Sequence, residues 1–193
     1  MPGGFQQASE ANRVDGVAKI KELFYNPLRA MTLYSIGHSN AEISAFLELL
    51  TRHGIELLVD TRSQPYSRYS PQFNRETLKA WLGEAEIGYL FMGEQLGGRP
   101  QASEFYLHNG KVDYERLAVT PFYLSGIERL LALAAECRLA FMCSEADFKN
   151  CHRYWLITRT LIERGIEVCH ILHSGGVIGS DQYELEPSQR SLF

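Results

Sequence analysis

The sequence predicts an α/β fold, a single three-layer domain with a mostly parallel, doubly wound sheet of about five strands. Short apolar runs alternate along the chain with longer segments whose apolar residues recur at helical spacing. Strands separated by helices need right-handed crossovers, which pair the strands in parallel and put helices on both faces of the sheet. The chain has 193 residues, of which 45% are hydrophobic, and this suffices for one sizeable core.

Each predicted strand is a short apolar run. In chain order the runs are LYSI (33–36), ELLVD (56–60), GYLFM (88–92), LAFMC (139–143) and IEVCHIL (166–172). The first helix is predicted to start at a capping box formed by Ser39 and Glu42 and to end at Gly54. The remaining helices are predicted around residues 78–85, 127–134 and 150–165.

The alternation assigns residues 31–173 to the α/β domain. Residues 1–30 are less patterned and are interpreted as an N-terminal leader, either a peripheral helix or a segment upstream of the native start. Residues 174–193 are rich in glycine and serine and are predicted to form an extended C-terminal tail. The chain contains no long apolar run and no signal-peptide pattern, so we expect a cytoplasmic protein without a membrane partner.

Charge and cysteine usage exclude two classes of protein. The formal net charge of -4 argues against a broad surface that coats nucleic acid, so any polyanion must meet a local basic patch. The four cysteines, Cys137, Cys143, Cys151 and Cys169, form no CxxC pair. A disulfide framework is therefore not expected, and reduced thiols are the default.

Polar residues gather at the carboxyl ends of the predicted strands, which is where ligands bind in open α/β sheets. In chain order they include His38, Asp60, Arg62, Arg99, Cys143, Glu145, His170 and His173. The strands themselves are apolar. We therefore predict one cleft that collects these side chains.

The loop DTRSQPYSRYSPQFNRE, residues 60–76, combines Asp60 with Arg62 and Arg68. Guanidinium groups suit phosphate oxygens because they donate two parallel hydrogen bonds. Aromatic side chains interleaved with arginines also suit stacking on bases; here they are Tyr66, Tyr69 and Phe73. The loop thus favours a phosphate-bearing ligand, a nucleotide or a nucleic acid. The alternative is a solvated loop in which Asp60 pairs with an arginine.

The stretch CSEADFKNCHR follows the fourth predicted strand. If Asn150 caps the next helix, Cys151, His152 and Arg153 occupy its first turn, where free N–H groups and the helix dipole favour anions. The same field would lower the pKa of the Cys151 thiol and make it a candidate nucleophile. Arg153 would contribute to holding the ligand.

Cys143 is the second candidate nucleophile, and Glu145 is a candidate general acid or base. A phosphatase-like or rhodanese-like loop would need an arginine where Lys149 stands and glycines that this loop lacks, so that chemistry is not supported. The alternative is structural: Cys143 packs in the strand and Glu145 pairs with an arginine.

No metal ligand is predicted. Cys143, Cys151 and His152 lack the short paired spacing of common zinc sites, although His38 or His173 could complete a set of four. A cofactor cannot be named from the sequence. His38 follows a glycine at the first strand end, so its ring either caps backbone groups or faces the cleft and handles protons.

The tail ends in Gln189, Arg190, Ser191, Leu192 and Phe193. This peptide resembles the bacterial sliding-clamp-binding pentapeptide, in which a glutamine anchors and a terminal leucine–phenylalanine pair fills an apolar pocket. Leucine usually stands where Arg190 is. The alternative is a hydrophobic terminus that packs on its own domain.

Five stretches are together similar to the family catalogued as domain of unknown function 488, over roughly residues 33–173: YSIGHSN, LLVDTRSQPYSRYSPQFN, LGGRP, GKVDYERLAVTPFY and MCSEADFKNCHR. The resemblance implies an α/β domain and no settled activity. The matching positions are His38, Asp60, Arg62, Pro65, Arg68, Phe73, Gly98, Arg99, Cys143, Glu145, Cys151, His152 and Arg153.

These observations lead to a functional expectation. We expect an enzyme that acts on a phosphate-bearing ligand, DNA or a nucleotide, and that is linked to DNA repair or replication through its clamp-like tail. Whether the chain is catalytic stays open, because a non-catalytic binding module for a small anionic metabolite or a partner protein is the alternative. The candidate catalytic residues are Glu145, Cys143, His38, His152 and Cys151; the candidate ligand-binding residues are Asp60, Arg62, Arg68, Arg99 and Arg153; the candidate partner-binding residues are Gln189, Leu192 and Phe193.

Overall fold

The structure is a computed structural model that describes residues 31–180 and residue 182. Six strands form one sheet: β1 (Thr32–Gly37), β2 (Leu57–Asp60), β3 (Gly88–Phe91), β4 (Leu139–Cys143), β5 (Glu167–Ile171) and β6 (Val177–Gly179). Their order across the sheet is β3-β2-β4-β1-β5-β6, and all neighbours pair in parallel except β5 and β6. The predicted α/β fold with a mostly parallel sheet is confirmed.

In the described part of the chain six α-helices connect the strands: α1 (Ile43–Arg52), α2 (Arg75–Glu84), α3 (Gly93–Leu96), α4 (Tyr114–Ala118), α5 (Pro121–Glu136) and α6 (Arg159–Glu163). A π-helix, Arg153–Thr158, runs directly into α6, and short 3₁₀ turns lie at Pro71–Phe73, Ser103–Phe105 and Phe148–Asn150. Among the described residues, no helix combines the length and the apolar composition that crossing a membrane requires.

The apolar residues of the sheet divide between two cores, one on each face. Phe141 packs with the apolar residues of α5 and the π-helix, while Ala140 and Met142 pack with those of α1 and α2. Successive strand residues point to opposite faces, so β4 must be apolar on both sides. All five of its residues are buried. This is why LAFMC reads as a continuous apolar run.

The pairing register of the strands determines where the site lies. Gly37 pairs with Cys143, and Asp60 pairs with Met142, so the carboxyl ends of β1, β4 and β2 lie side by side in the middle of the sheet. The chain leaves these three strands towards different loops. The hollow between such loops is where ligands bind in open α/β sheets.

β6 is the one strand that the sequence analysis did not predict. It lies within residues 174–193, which were assigned to an extended tail, and it pairs antiparallel with β5 through Cys169 and Gly179. The run VIG is too short to show a period, and it follows a turn in which Gly175 has a positive φ of 89°. The predicted leader, residues 1–30, and the clamp-like peptide lie outside the described residues.

The helix that follows β4 starts later than predicted, and the assignment of Asn150 as its cap is wrong. The Asp147 carboxylate accepts hydrogen bonds from the Lys149 backbone N–H and from Asn150 Nδ2, which stabilises a separate 3₁₀ turn. Cys151 is then extended, with φ -144° and ψ 170°, and its carbonyl accepts from Tyr154 N. Cys151 therefore precedes the helix instead of lying in its first turn.

β5 carries a buried histidine, His170, whose side chain belongs to the sheet and not to the cleft. Its Nδ1 is 2.5 Å from Ser35 Oγ, and its ring stacks on Phe148 with 3.8 Å between the ring centroids. Burial, with a smaller contribution from the Arg153 guanidinium, lowers the pKa of His170 to about 3. The ring is therefore neutral at pH 7.

We expect this histidine to make the fold sensitive to acid. Between pH 6.5 and about 3 the unfolded chain binds a proton that the folded chain excludes, so the free energy of unfolding falls as the pH falls through this window. The slope for one such group is about 1.4 kcal/mol per pH unit, and its contribution to stability is complete above the ordinary histidine pKa. Urea unfolding of the wild type and of His170→Asn at several pH values measures it.

The variant should show a shallower dependence of stability on pH than the wild type. His108 is exposed, so His108→Asn provides the matched control and should keep the wild-type slope. Equal slopes for the wild type and His170→Asn would contradict the assignment of a neutral, buried ring.

Candidate functional site

A cleft of about 660 Å³ opens where β2 and β4 end. It is lined by the loop that follows β2, by the loop that follows α3, by Tyr114 at the start of α4, and by the segment that follows β4. Six of the predicted site residues line it: Arg62, Arg99, Cys143, Glu145, Cys151 and His152. Residues from three loops that are distant in sequence therefore share one hollow.

Asp60 and Arg62 form a buried, bidentate ion pair on the wall of the cleft. Arg62 Nε and Nη2 donate to the two carboxylate oxygens at 2.9 and 2.7 Å, and the two side chains are only 0% and 5% exposed. Arg62 Nη2 also donates to the Phe73 carbonyl, and Tyr89 donates its hydroxyl to Asp60 Oδ2 at 2.8 Å. The pairing of Asp60 with an arginine, which the structural alternative for this loop proposed, is thus observed, but the pair is buried and not solvated, and little of Arg62 is left for a ligand.

His38 is held by Arg62 on one side and by its own turn on the other. Its Nε2 lies 3.1 Å from Arg62 Nη1, which can only donate, and its Nδ1 lies 2.7 Å from the Ser39 carbonyl, which can only accept. Burial, followed by the Arg62 charge, lowers the pKa of His38 to about 4. Both ring nitrogens of this neutral histidine are in use, and its ring stacks on the buried Phe73.

The rim of the cleft carries exposed aromatic rings. Tyr66 and Tyr69 are 76% and 80% exposed, unlike Phe73, which is in the core and cannot meet a base. Arg68 lies outside the cleft lining with its guanidinium 4.7 Å from the centre of the Tyr69 ring. Arg99, which also lines the cleft, is exposed, and its backbone N–H donates to Ser63 Oγ at 2.9 Å.

Two cysteines and a histidine meet at the floor of the cleft. One donor atom from each of Cys143, Cys151 and His152 lies within 4.8 Å of the others, and all three residues are buried. The Cys143 thiol donates a hydrogen bond to the Glu145 carboxylate, and the Cys151 sulfur lies within 4.8 Å of the Cys143 sulfur. The cluster therefore combines two soft sulfur donors, an imidazole and a carboxylate in one place.

The two thiols differ in acidity. Its interaction with the Cys151 side chain and its burial raise the pKa of Cys143. The pKa of Cys151 is lowered, chiefly by its interaction with the Cys143 side chain and also by the Arg153 charge, although burial opposes both. The predicted cause of a lowered Cys151 pKa, a helix terminus, is wrong, because the lowering comes from the neighbouring Cys143 and from Arg153.

His152 has a defined tautomer. Its Nε2 is 3.1 Å from the Thr61 carbonyl, an acceptor only, so Nε2 carries the proton and Nδ1 carries the lone pair. The ring packs directly against Gly98, where an added Cβ would lie 2.5 Å from His152 Cβ. The glycine of the LGGRP stretch thus gives His152 the room to turn its ring towards Thr61.

Arg153 lies behind the floor and does not line the cleft. Its side chain is 1% exposed, and Nη2 donates to the Glu145 and Ala146 carbonyls at 3.2 Å each. Its Nε and Nη1 are buried without a hydrogen-bond partner among the described residues, and no carboxylate there pairs with it. Arg153 therefore positions the loop that carries Glu145 and places an uncompensated positive charge beneath the thiols.

Two contributors to the site were not singled out from the sequence. Tyr114 lines the cleft with its hydroxyl 3.4 Å from the Gly98 carbonyl, and burial raises its pKa. Ser63 supports the loop around Arg99. Ser63 directly follows Arg62 at a strand end and could have been included, whereas nothing local marks Tyr114.

Residues 42–160 match the model of a family described as domain of unknown function DUF488, which confirms the resemblance found in the motifs. Comparison with curated proteins and with solved structures found no match. The matched residues include the loop after β2, the segment after β4 and every element between them. Because this is more than half of its 193 residues, the chain belongs to the DUF488 family, whose description assigns no activity.

Proposed function

We propose that the chain is a cytoplasmic enzyme that acts on a phosphate-bearing ligand, a nucleotide or a nucleic-acid strand, in the cleft after β2 and β4. One observation carries the proposal: the same hollow has a cationic and aromatic rim and a floor with groups that can react. The rim residues are Arg99, Tyr66 and Tyr69, and the floor residues are Cys143, Glu145, Cys151 and His152.

The rim supports a ligand with both phosphate and base. Arg99 has an exposed guanidinium that forms no ion pair among the described residues, so it can meet a phosphate without breaking an internal contact. A charge-assisted hydrogen bond of this kind contributes about 1.5 to 3 kcal/mol. Stacking of a base on an exposed ring such as Tyr66 or Tyr69 contributes about 1 to 3 kcal/mol. A single strand or a nucleotide suits this rim, since a paired base cannot present its face.

The roles of the other predicted arginines change. Arg62 is committed to Asp60 and His38, and Arg153 is committed to the loop after β4. Both shape the cleft, so we assign phosphate binding first to Arg99. Arg68, which stacks on Tyr69, is placed to follow a strand that extends beyond the cleft.

The floor supports catalysis over simple binding. Glu145 is exposed to the cleft and can take up or deliver a proton, and the two sulfurs and His152 lie next to it. A module that only binds anions has no use for two thiols above a buried arginine. That module remains the alternative, because the rim alone would serve it.

The first expected result is binding that depends on Arg99. Fluorescence anisotropy with a labelled single-stranded oligonucleotide, across a range of salt concentrations, should show binding at low salt that weakens as salt increases. Arg99→Ala should weaken it about tenfold, the equivalent of about 1.4 kcal/mol. Arg129 is an exposed arginine on α5, away from the cleft, so Arg129→Ala is the matched control.

No binding of single-stranded DNA or of nucleotides at low salt would refute the ligand class. Equal losses in Arg99→Ala and Arg129→Ala would refute the site. Mass spectrometry of the bound ligand after incubation then separates an enzyme from a binding module: the wild type should change the ligand, whereas Glu145→Gln should bind it and leave it intact.

The partner at the C-terminus is a separate proposal that rests on sequence alone. Gln189, Leu192 and Phe193 lie outside the described residues, and we propose that they recruit the chain to a sliding clamp and thus to replicating or repaired DNA. Co-purification with the clamp should be lost when Leu192 and Phe193 are removed; retained co-purification would refute this role.

A further inference from the structure

We infer that Cys143, Cys151 and His152 form a binding site for a thiophilic divalent metal ion of the zinc type. The three residues come from the tip of β4 and from the chain just before the π-helix. Their donor atoms already lie within 4.8 Å of one another in a buried cluster at the floor of the cleft. The inference concerns the site alone and does not depend on which ligand the cleft takes.

The distances suit zinc after a small contraction. Zinc binds sulfur at about 2.3 Å and imidazole nitrogen at about 2.0 to 2.1 Å, so a tetrahedral site holds its ligand atoms about 3.5 to 3.8 Å apart. The three donor atoms lie within 4.8 Å of one another, so they would move closer together when an ion binds, and small rotations of the side chains suffice for this. Two sulfurs and one imidazole are also the donors that select zinc over magnesium or calcium.

His152 is prepared as a metal ligand by its outer contact. Its Nε2 proton is held by the Thr61 carbonyl, 3.1 Å away, which leaves the Nδ1 lone pair for an ion. Histidine ligands of metals almost always donate their other ring nitrogen to a carbonyl or a carboxylate, which fixes both the tautomer and the ring orientation. Thr61 itself is held in place because its hydroxyl donates to the Met142 carbonyl at 2.8 Å.

The charge around the cluster favours an anionic centre. Arg153 is buried beneath it, with Nε and Nη1 unpartnered among the described residues. A divalent ion with two thiolates and a neutral imidazole has no net charge, and adding the Glu145 carboxylate as the fourth ligand gives one negative charge. That charge would neutralise Arg153. The buried guanidinium, which is otherwise costly, is thereby explained.

Glu145 is placed for the fourth position. Its carboxylate is already a hydrogen-bond acceptor of the Cys143 thiol, and it lies on the cleft side of the cluster. Metal binding would release to solvent both this thiol proton and that of Cys151, which now points to the Phe148 carbonyl. If Glu145 yields this position to water when a ligand arrives, the ion would offer an activated water to a phosphate in the cleft. The cysteines would then be ligands and not nucleophiles.

The sequence spacing hides this site. In common zinc sites the ligands come in pairs, and the two cysteines of a pair are separated by two to four intervening residues. Here the second sulfur comes eight residues after the first, and the intervening loop is folded back by Arg153 on the Glu145 and Ala146 carbonyls. Only this folded loop brings Cys151 beside Cys143.

The test is metal content of the full chain purified under reducing conditions, followed by titration of the metal-free protein with cobalt. We expect one equivalent of zinc and, with cobalt, the near-ultraviolet absorption of sulfur-to-cobalt charge transfer. Cys143→Ser, Cys151→Ser and His152→Ala should each weaken cobalt binding by more than about 100-fold. This threshold separates loss of a ligand from loss of a residue that only supports a ligand, which lowers metal affinity by at most about 100-fold. Cys169 lies on β5 outside the cluster, so Cys169→Ser is the matched control and should bind as the wild type does.

Circular dichroism of each variant separates loss of the metal from loss of the fold. Absence of both zinc and the cobalt–thiolate absorption in the folded wild type would overturn the inference. Equal cobalt binding by the wild type, Cys143→Ser and Cys151→Ser would overturn it as well. Both readouts are independent of nucleotide binding, so failure of the metal site and failure of the proposed function can be told apart.

Discussion

Replacing Asp60 by asparagine is expected to lower the free energy of unfolding by about 3 to 5 kcal/mol, the usual cost of removing one partner from a buried ion pair. The substitution keeps the shape of the side chain and removes only its charge. Arg62 would then be a buried cation whose two carboxylate contacts, at 2.9 and 2.7 Å, have lost their ionic partner. Tyr89 would also lose the charged acceptor of its hydroxyl.

The matched control is the exposed pair between Glu48 and Arg52 on α1, in which both side chains are more than half exposed. Water and salt screen such a pair, so Glu48→Gln should cost less than about 1 kcal/mol. Urea unfolding at neutral pH measures both variants. If Asp60→Asn and Glu48→Gln cost the same, the pair at the cleft is not the buried ionic contact described above.

The second large effect is expected at Gly37. A methyl group there would overlap the Glu145 carbonyl oxygen and lie 2.7 Å from Arg153 Nη1. The overlap is with backbone, which cannot rotate away as a side chain can. Gly37→Ala should therefore displace the loop after β4 and lower the free energy of unfolding by about 1 to 3 kcal/mol or somewhat more, the usual cost of overpacking. The same displacement should separate Cys143 from Cys151, so cobalt binding should weaken in this variant.

Gly83 is the matched control for the same chemical change. It lies in α2, and an added Cβ meets nothing within 4 Å. Because alanine favours a helix more than glycine does, Gly83→Ala should leave stability unchanged or raise it by up to about 1 kcal/mol. Equal unfolding midpoints for the two alanine variants would contradict the close approach between Gly37 and the loop that carries Glu145.

The elements that could be predicted are those with a strong local pattern. The apolar run of β4 and the periodic apolar face of α5 each predict one structure, because burial on both faces of a sheet leaves a continuous apolar run and burial of one helix stripe leaves a visible sequence period. β6 has only three residues and no period. The helix after β4 was placed too early because Asp147, not the helix, takes the Asn150 side chain as its partner.

Part of the candidate site could likewise be predicted from the sequence, and part could not. That polar residues at the strand ends would gather in one cleft followed from topology, and four of the eight, Arg62, Arg99, Cys143 and Glu145, line it. The roles of the arginines did not follow from sequence. Arg62 and Arg99 each stand in a polar loop after a strand, yet Arg62 is buried against Asp60 while Arg99 is exposed. What separates them is access to water, which depends on how other loops cover each side chain.

The sequence by itself determined the alternation of strands and helices, and with it the edge of the sheet at which the polar loops collect, because hydrophobic period and strand direction are local properties. Only the tertiary structure decided that Arg153 is enclosed with no acid to pair with it among the described residues, and that two sulfurs and an imidazole converge above it. The physical reason is that the solvation of a charge and the acidity of a thiol depend on the groups that surround them in space. Those neighbours come from Gly37, Thr61 and Gly98, which are far from the cluster in the chain and next to it in space.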